Sequence, residues 1–140
     1  MGKFYKRYEN YKSCLGTLNE CKKRELESKQ DKIVLSGIIS HFCLTFDLSW
    51  KCMKDLITEY YGLNDFSLGS PRESIEKGFS LGLIDDETGW IRVMKLRNEL
   101  THDYNSILAI DECHNILYNY INLFNNLENK IDNLIKEKNI

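Results

Sequence analysis

One hundred and forty residues, 42% hydrophobic and 29% charged, suit a single domain that buries its own core without a metal or disulfide staple. A formal net charge of −2 excludes a protein whose main task is to coat nucleic acid, yet leaves room for a local anion site. Five cysteines, Cys14, Cys21, Cys43, Cys52 and Cys113, lack any C-x-x-C spacing, which excludes a thiolate zinc or redox pair and reads as reduced thiols of a cytoplasmic protein.

The start of the chain, Met1 to Arg7, has no apolar signal-peptide core, and Lys6 stands where a myristoylation signal needs Ser or Thr. A first helix is expected from about Phe4 to Leu26, with Phe4, Tyr8, Tyr11, Leu15 and Leu18 on its apolar stripe. Lys6, Lys12, Lys22, Lys23 and Arg24 face the other way, as a basic face that could meet RNA but reads first as solvated. Asp31 is placed to cap a second helix that continues to about Tyr61, where Gly62 ends it. This helix carries two stripes. One is Leu35, Ile39, Phe42, Phe46, Trp50, Met53 and Ile57; the other is Val34, Ile38, Thr45, Leu48, Cys52 and Leu56. Two covered sides make it the spine of a bundle. Its most apolar run, Ile33 to Trp50, is interrupted by His41 and Asp47 and reads as too polar to span a membrane. Both polar residues read as structural, with Asp47 and Lys51 an i,i+4 pair.

After a loop from Gly62 to Gly69, Ser70-Pro71-Arg72-Glu73 starts a third helix by cap, proline and capping box together. Ile75, Phe79 and Leu83 are spaced for burial, Gly82 is the stop, and Arg72 reads as structural or partner-facing. Asp85 or Asp86 begins a fourth helix, with Trp90, Val93, Leu96 and Leu100 inward. Asn105-Ser106 punctuates. A fifth helix follows from about Ile107 to Lys136, with Ile110, Cys113, Leu117, Tyr120, Phe124, Leu127, Ile131 and Leu134 as a narrow coiled-coil-like seam. Its last two turns, about residues 130–140, are expected to project beyond the domain or to fray. Strand signals are nearly absent. The fold class is therefore all-α, an up-and-down antiparallel bundle of four to five helices in one domain.

The chemistry concentrates in Arg97-Asn98-Glu99-Leu100-Thr101-His102-Asp103-Tyr104. On one helix Arg97 and Tyr104 nearly superpose and Asn98 stacks with His102, while Arg97 and His102 diverge by roughly 140°. A single straight helix closes both around one small group with difficulty. Two copies across a twofold axis do so, with Arg97 of one chain facing His102 of its mate. Ile91, Met94 and Thr101 form a half-apolar face beside the motif, as a dimer interface would. His102 suits proton transfer at neutral pH. Arg97 supplies a permanent, forked charge for a phosphorane. Asn98 is placed to bond the phosphate or orient the imidazole. The bland alternative is that Arg97, Asn98 and His102 cap or cross-link helices. His41, His102 and His114 have no metal-ligand spacing, and no glycine-rich phosphate loop or serine-nucleophile motif occurs, so no metal or cofactor is expected.

Arg97-Asn98-x-x-x-His102-x-Tyr104 resembles the Arg-x4-His-x-Tyr signature of HEPN-domain proteins, and within them the HepT toxins, also known as nucleotidyltransferase substrate-binding proteins. Phe42-x-x-Thr45-Phe46-Asp47-Leu48-x-Trp50-Lys51, Ser70-Pro71-Arg72-Glu73, Gly82-Leu83-Ile84-Asp85-Asp86 and Trp90 extend the likeness over roughly residues 10–125. Cys43 and Ser40-His41 depart from the family's pattern. The resemblance implies a HEPN-like bundle and a dimeric, metal-independent endoribonuclease whose Arg97 and His102 line a cleft between subunits. Its products are 2′,3′-cyclic phosphates or 3′-phosphates. It also implies a toxin–antitoxin partner, a minimal nucleotidyltransferase that adenylylates Tyr104. A phenol is a poor general base but a good nucleotide acceptor, and each added AMP would compete with RNA for Arg97. The chain lacks the paired-carboxylate motif of a nucleotidyltransferase itself. The alternative within the same resemblance is a non-catalytic substrate-binding or regulatory subunit of a two-component nucleotidyltransferase.

Overall fold

The computed structural model describes residues 2–28, 32–102, 107–138 and 140, with the side chains of 24–28, 67–68, 102 and 107–110 left aside. Every element among the described residues is helical: α1 (Gly2–Ser28), α2 (Lys32–Asp55), α3 (Pro71–Ser80), α4 (Glu87–His102), α5 (Ile107–Asn115) and α6 (Ile121–Lys138). A π-wound turn, Leu56–Tyr60, prolongs α2. Another, Ile116–Tyr120, joins α5 to α6. Among the described residues the fold is an all-α bundle of five helical segments, α5 and α6 counting as one through the π-wound turn, as the periodicity requires.

α2 is the spine, packing on α1, α3, α4, α5 and α6. Phe42 and Phe46 are buried at its centre, with Phe124 and Trp90 as ring neighbours at 6.0 and 6.4 Å. The α1 stripe Phe4, Tyr8, Tyr11, Leu15 and Leu18 is fully buried as expected. Two phenols tie α1 to α6. Tyr11 donates to the Phe124 carbonyl at 2.7 Å, and Tyr8 donates to Asp132 at 2.6 Å and to the Glu128 carbonyl at 3.0 Å.

Helix ends follow the local chemistry. Gly62, at φ 74°, turns the chain out of α2. Asn64–Leu68 forms a 3₁₀ turn inside the expected loop. The Ser70 hydroxyl accepts from the Glu73 amide and the Glu73 carboxylate from the Ser70 amide, so the capping box is present, with Pro71 in the first turn. Asp86, not Asp85, starts α4, accepting from the Gly89 amide at 2.9 Å. Asp85 instead pairs with Lys130 of α6. The expected cap Asp31 lies outside the described residues.

Several expectations are corrected. Phe79 is 45% exposed, because α3 turns Ser74, Ile75 and Gly78 inward and leaves Phe79 to one side. Trp50 is only half-buried. The strict seam of the last helix breaks at the π turn. The extra residue shifts the phase, so Ile116 and Ile121 join Leu117 in the core while Tyr120 is half-buried. Ile110 of that series lies among the side chains not described. At the C-terminal end, α6 runs to Lys138, and Leu134, Ile135 and Ile140 pack on the core. Finally, Lys32–Tyr60 is long and apolar enough to cross a membrane by composition, with a mean hydropathy of 1.4, despite His41 and Asp47. Its apolar stripes are nonetheless used inside the bundle, as a core helix uses them.

Candidate functional site

A carboxylate on a largely apolar spine helix is stabilised by water or by a cation within reach, on its own helix or on another. Asp47 takes the last of these. From α4, Arg97 donates through Nε to Asp47 Oδ1 at 3.0 Å and through Nη2 to Oδ2 at 2.9 Å. Nη1 donates to the Thr101 hydroxyl at 3.1 Å, and that hydroxyl donates back to the Arg97 carbonyl at 3.0 Å. The carboxylate strengthens the guanidinium's hold on its proton, raising an already high pKa. This fork-to-fork pair replaces the expected Asp47–Lys51 pair. Lys51 instead sets its ammonium over the Trp50 ring, 5.8 Å from the centroid.

Beside this pair opens a cleft of about 410 Å³. Its walls come from α2 (Phe46, Asp47, Trp50, Lys51), from the N-terminal turn of α3 (Ser70, Pro71, Arg72) and from α4 (Met94, Arg97, Asn98). Phe46 and Met94 are buried and supply an apolar floor. Lys54 stands near the same indole as Lys51, at 5.9 Å. Arg72, read from sequence as structural or partner-facing, is exposed at the rim. Cys43 neighbours the pair; burial pushes its thiol pKa up, and the Arg97 charge opposes that rise. A shallower hollow of about 210 Å³ lies between the start of α1 and α2, lined by Lys3, Lys6, Arg7, Asn10 and Leu48.

Of the residues proposed from sequence, Arg97 and Asn98 share the cleft wall. His102 is the last residue of α4, and only its backbone is described. Tyr104 lies outside the described residues. The half-apolar patch expected beside the motif is largely spent within the chain. Met94 is buried, Ile91 packs on the core, and Thr101 is tied to Arg97. His41 is structural, its Nδ1 lying 3.0 Å from the Gly37 carbonyl. The basic face of α1 is partly self-neutralised, with Lys12 paired to Glu9 and Lys23 to Glu20. Arg7 reaches Asp55 at 2.9 Å.

Sequence reasoning missed the role of Asp47 as the holder of Arg97 and the membership of Trp50, Lys51 and Arg72 in one cleft. The available signal was an acid on a largely apolar helix, which calls for a cation but does not choose between Lys51 at i+4 and a distant one. Among the described residues, no group of three His, Cys, Asp or Glu side chains is placed to hold a metal ion.

A comparison with curated proteins finds no match. The family model described as nucleotidyltransferase substrate binding protein like matches residues 6–133, which include α2, the cleft and the motif. With most of its length inside that match, the chain belongs to the nucleotidyltransferase substrate-binding-protein-like family.

Proposed function

We propose that this chain is a HepT-like toxin: a homodimeric, metal-independent endoribonuclease that uses Arg97, Asn98 and His102. The observation that supports it most is Arg97, held rigid by Asp47 at the wall of a cation-rich cleft with Asn98 beside it. Two guanidinium nitrogens are engaged by the carboxylate, which fixes the plane of the fork. N–H groups not used by Asp47 or Thr101 remain to grip phosphate oxygens.

In the proposed reaction the 2′-oxygen of RNA bonds to phosphorus and the bond to the 5′-oxygen breaks. His102, contributed by the mate chain, accepts the 2′-hydroxyl proton and returns one to the leaving 5′-oxygen. Arg97 neutralises the charge that builds on the non-bridging oxygens. The product is a 2′,3′-cyclic phosphate, which water can open to a 3′-phosphate. In this reading a partner minimal nucleotidyltransferase silences the toxin by transferring AMP from ATP: the Tyr104 oxygen bonds to the α-phosphorus, its proton is lost and pyrophosphate leaves. The family's description, which names substrate binding for a nucleotidyltransferase, supports the partner.

A second reading is favoured by the same ion pair. Arg97 bound on two nitrogens to Asp47 is also what a cross-link between α2 and α4 looks like. In that case the chain is the non-catalytic subunit of a two-component nucleotidyltransferase and presents a substrate in the cleft. An RNA-cleavage or growth-arrest assay separates the two. Wild type is expected to cleave, and His102→Ala and Arg97→Ala to lose at least a hundredfold; equal behaviour of all three removes the nuclease reading. Light scattering after size exclusion is expected to give a dimer at micromolar concentration, and a monomer would count against the shared cleft.

A further inference from the structure

The cleft holds more than the motif needs. Lys51, Arg72 and Arg97 give it three cations against the single carboxylate of Asp47, in a chain whose net charge is −2. Lys51 and Lys54 crowd two ammonium groups at one indole, 5.8 and 5.9 Å from its centroid. Among the described residues, Arg72 has neither a hydrogen-bond nor an ion-pair partner. The two tryptophans also differ sharply. Trp90 is 1% exposed and belongs to the core, whereas Trp50 is half-buried and lines the cleft. An indole with flexible ammonium groups over its ring, beside an apolar floor, is a pattern that receives a nucleobase once those groups swing onto its phosphates. The volume, about 410 Å³, falls in the range of small-ligand clefts and leaves room for one nucleotide, not a duplex.

We propose that this cleft is a nucleotide subsite for single-stranded RNA: the Trp50 indole carries the base next to the scissile phosphate, and Lys51 and Arg72 take the following phosphate. The assignment rests on the reading of the chain as a ribonuclease, because it orients the strand from the phosphate held by Arg97. Asn98 lines the same wall. A flat aromatic surface accepts any base, so the subsite sets strand polarity and affinity more than sequence. The same chemistry would also accept a free mononucleotide, which offers the base but only one phosphate-bearing end.

The test is binding, read without cleavage. A pentaribonucleotide of uridines, 2′-O-methylated at every position to prevent strand scission, is titrated into the full chain. Anisotropy and tryptophan emission are followed together, with AMP in a parallel arm. The oligomer is expected to quench the Trp50 emission and leave the buried Trp90 signal. Trp50→Leu is expected to weaken binding roughly tenfold, and Trp50→Phe to recover most of the loss. Arg72→Gln, on the exposed first turn of α3, is expected to weaken binding severalfold and to lower the salt slope by about one. AMP is expected to bind at least tenfold more weakly than the oligomer. Unchanged affinity in both Trp50→Leu and Arg72→Gln would overturn the subsite, as would no binding by wild type. Equal affinity for AMP and oligomer would overturn RNA as its occupant. Binding through Trp50 without cleavage of the ribo-oligomer would remove the nuclease and leave the subsite; cleavage unaffected by Trp50→Leu or Arg72→Gln would do the reverse.

Discussion

Arg97 and Asp47, fifty residues apart, meet in a two-pronged ion pair with N–O distances of 3.0 and 2.9 Å, and this pair fixes α4 against α2 beside the cleft. Both side chains retain a little over a quarter of their exposure, so solvent screens the attraction. Its value lies more in direction than in stability. Asp47→Asn keeps the shape and one acceptor oxygen while removing the charge. It is expected to cost about 1 kcal/mol in urea unfolding. It is also expected to lower single-turnover RNA cleavage at least tenfold, because a guanidinium that swings is a poorer phosphate clamp. Full activity in Asp47→Asn would show that Arg97 needs no holder.

The contrast between Asp47 and Ser70 shows what was legible in the sequence. The capping box of Ser70 and Glu73 is local: cap, proline and acid lie within four residues, and all of its physics is contiguous. The same holds for the α1 and α2 stripes, since burial follows the 3.6-residue period. The partner of Asp47 is not local. A neighbour at i+4, Lys51, satisfied the pattern equally well, and only packing of α4 on α2 decides that Arg97 takes it. The π turn at Ile116–Tyr120 was hidden for a similar reason. Heptad spacing continued through it on paper, but Ile116 and Ile121 both gain burial by widening one turn. The cleft required three separated segments to converge, which no periodicity reports.

A second ion pair, Arg7 with Asp55, carries a pH prediction. Burial raises the Asp55 pKa above its ordinary value of 3.8, and the Arg7 charge only partly offsets this. A carboxyl with a folded pKa above its unfolded one binds more protons in the folded state. Its contribution is fully present below the unfolded pKa and is lost as pH rises through the folded pKa. Wild-type stability relative to Asp55→Asn is therefore expected to rise as pH falls from neutrality toward 3.8. Urea unfolding of both proteins across that interval checks the sign; a difference that shrinks on acidification would contradict it. At neutral pH, Asp55→Ala is expected to cost about 2–3 kcal/mol, since Arg7 is left partly buried without its carboxylate.

Two glycines should respond to alanine with opposite signs. Gly16 lies within α1, and a Cβ there meets nothing within 4 Å. Gly16→Ala is expected to stabilise by about 0.5–1 kcal/mol through helix propensity alone. Gly82 also has open space around it, but its φ is +82°, where an L side chain is strained. Gly82→Ala is expected to destabilise by about 1 kcal/mol. Thermal unfolding of the pair checks this, and a stabilised Gly82→Ala would mean that the α3–α4 turn relaxes to another conformation.

The phenols of Tyr8 and Tyr11 make the bundle alkali-sensitive. Tyr11 is fully buried against the Phe124 carbonyl, and burial, the largest cause, raises its pKa well above 10.0. Burial and the hydrogen bond to Asp132 raise that of Tyr8. A phenol with a raised folded pKa contributes stability that is fully present below its unfolded value near 10 and is lost as pH climbs toward the folded one. The wild type is expected to lose stability steeply above pH ~10, and the double variant Tyr8→Phe/Tyr11→Phe to lose much less over the same range. At neutral pH the order differs by burial. Tyr11→Phe removes a fully buried hydrogen bond and is expected to cost about 1 kcal/mol. Tyr8→Phe returns the exposed Asp132 to water and is expected to cost about half as much. Equal alkaline slopes for wild type and the double variant would place the alkaline transition elsewhere than in the phenols that join α1 to α6.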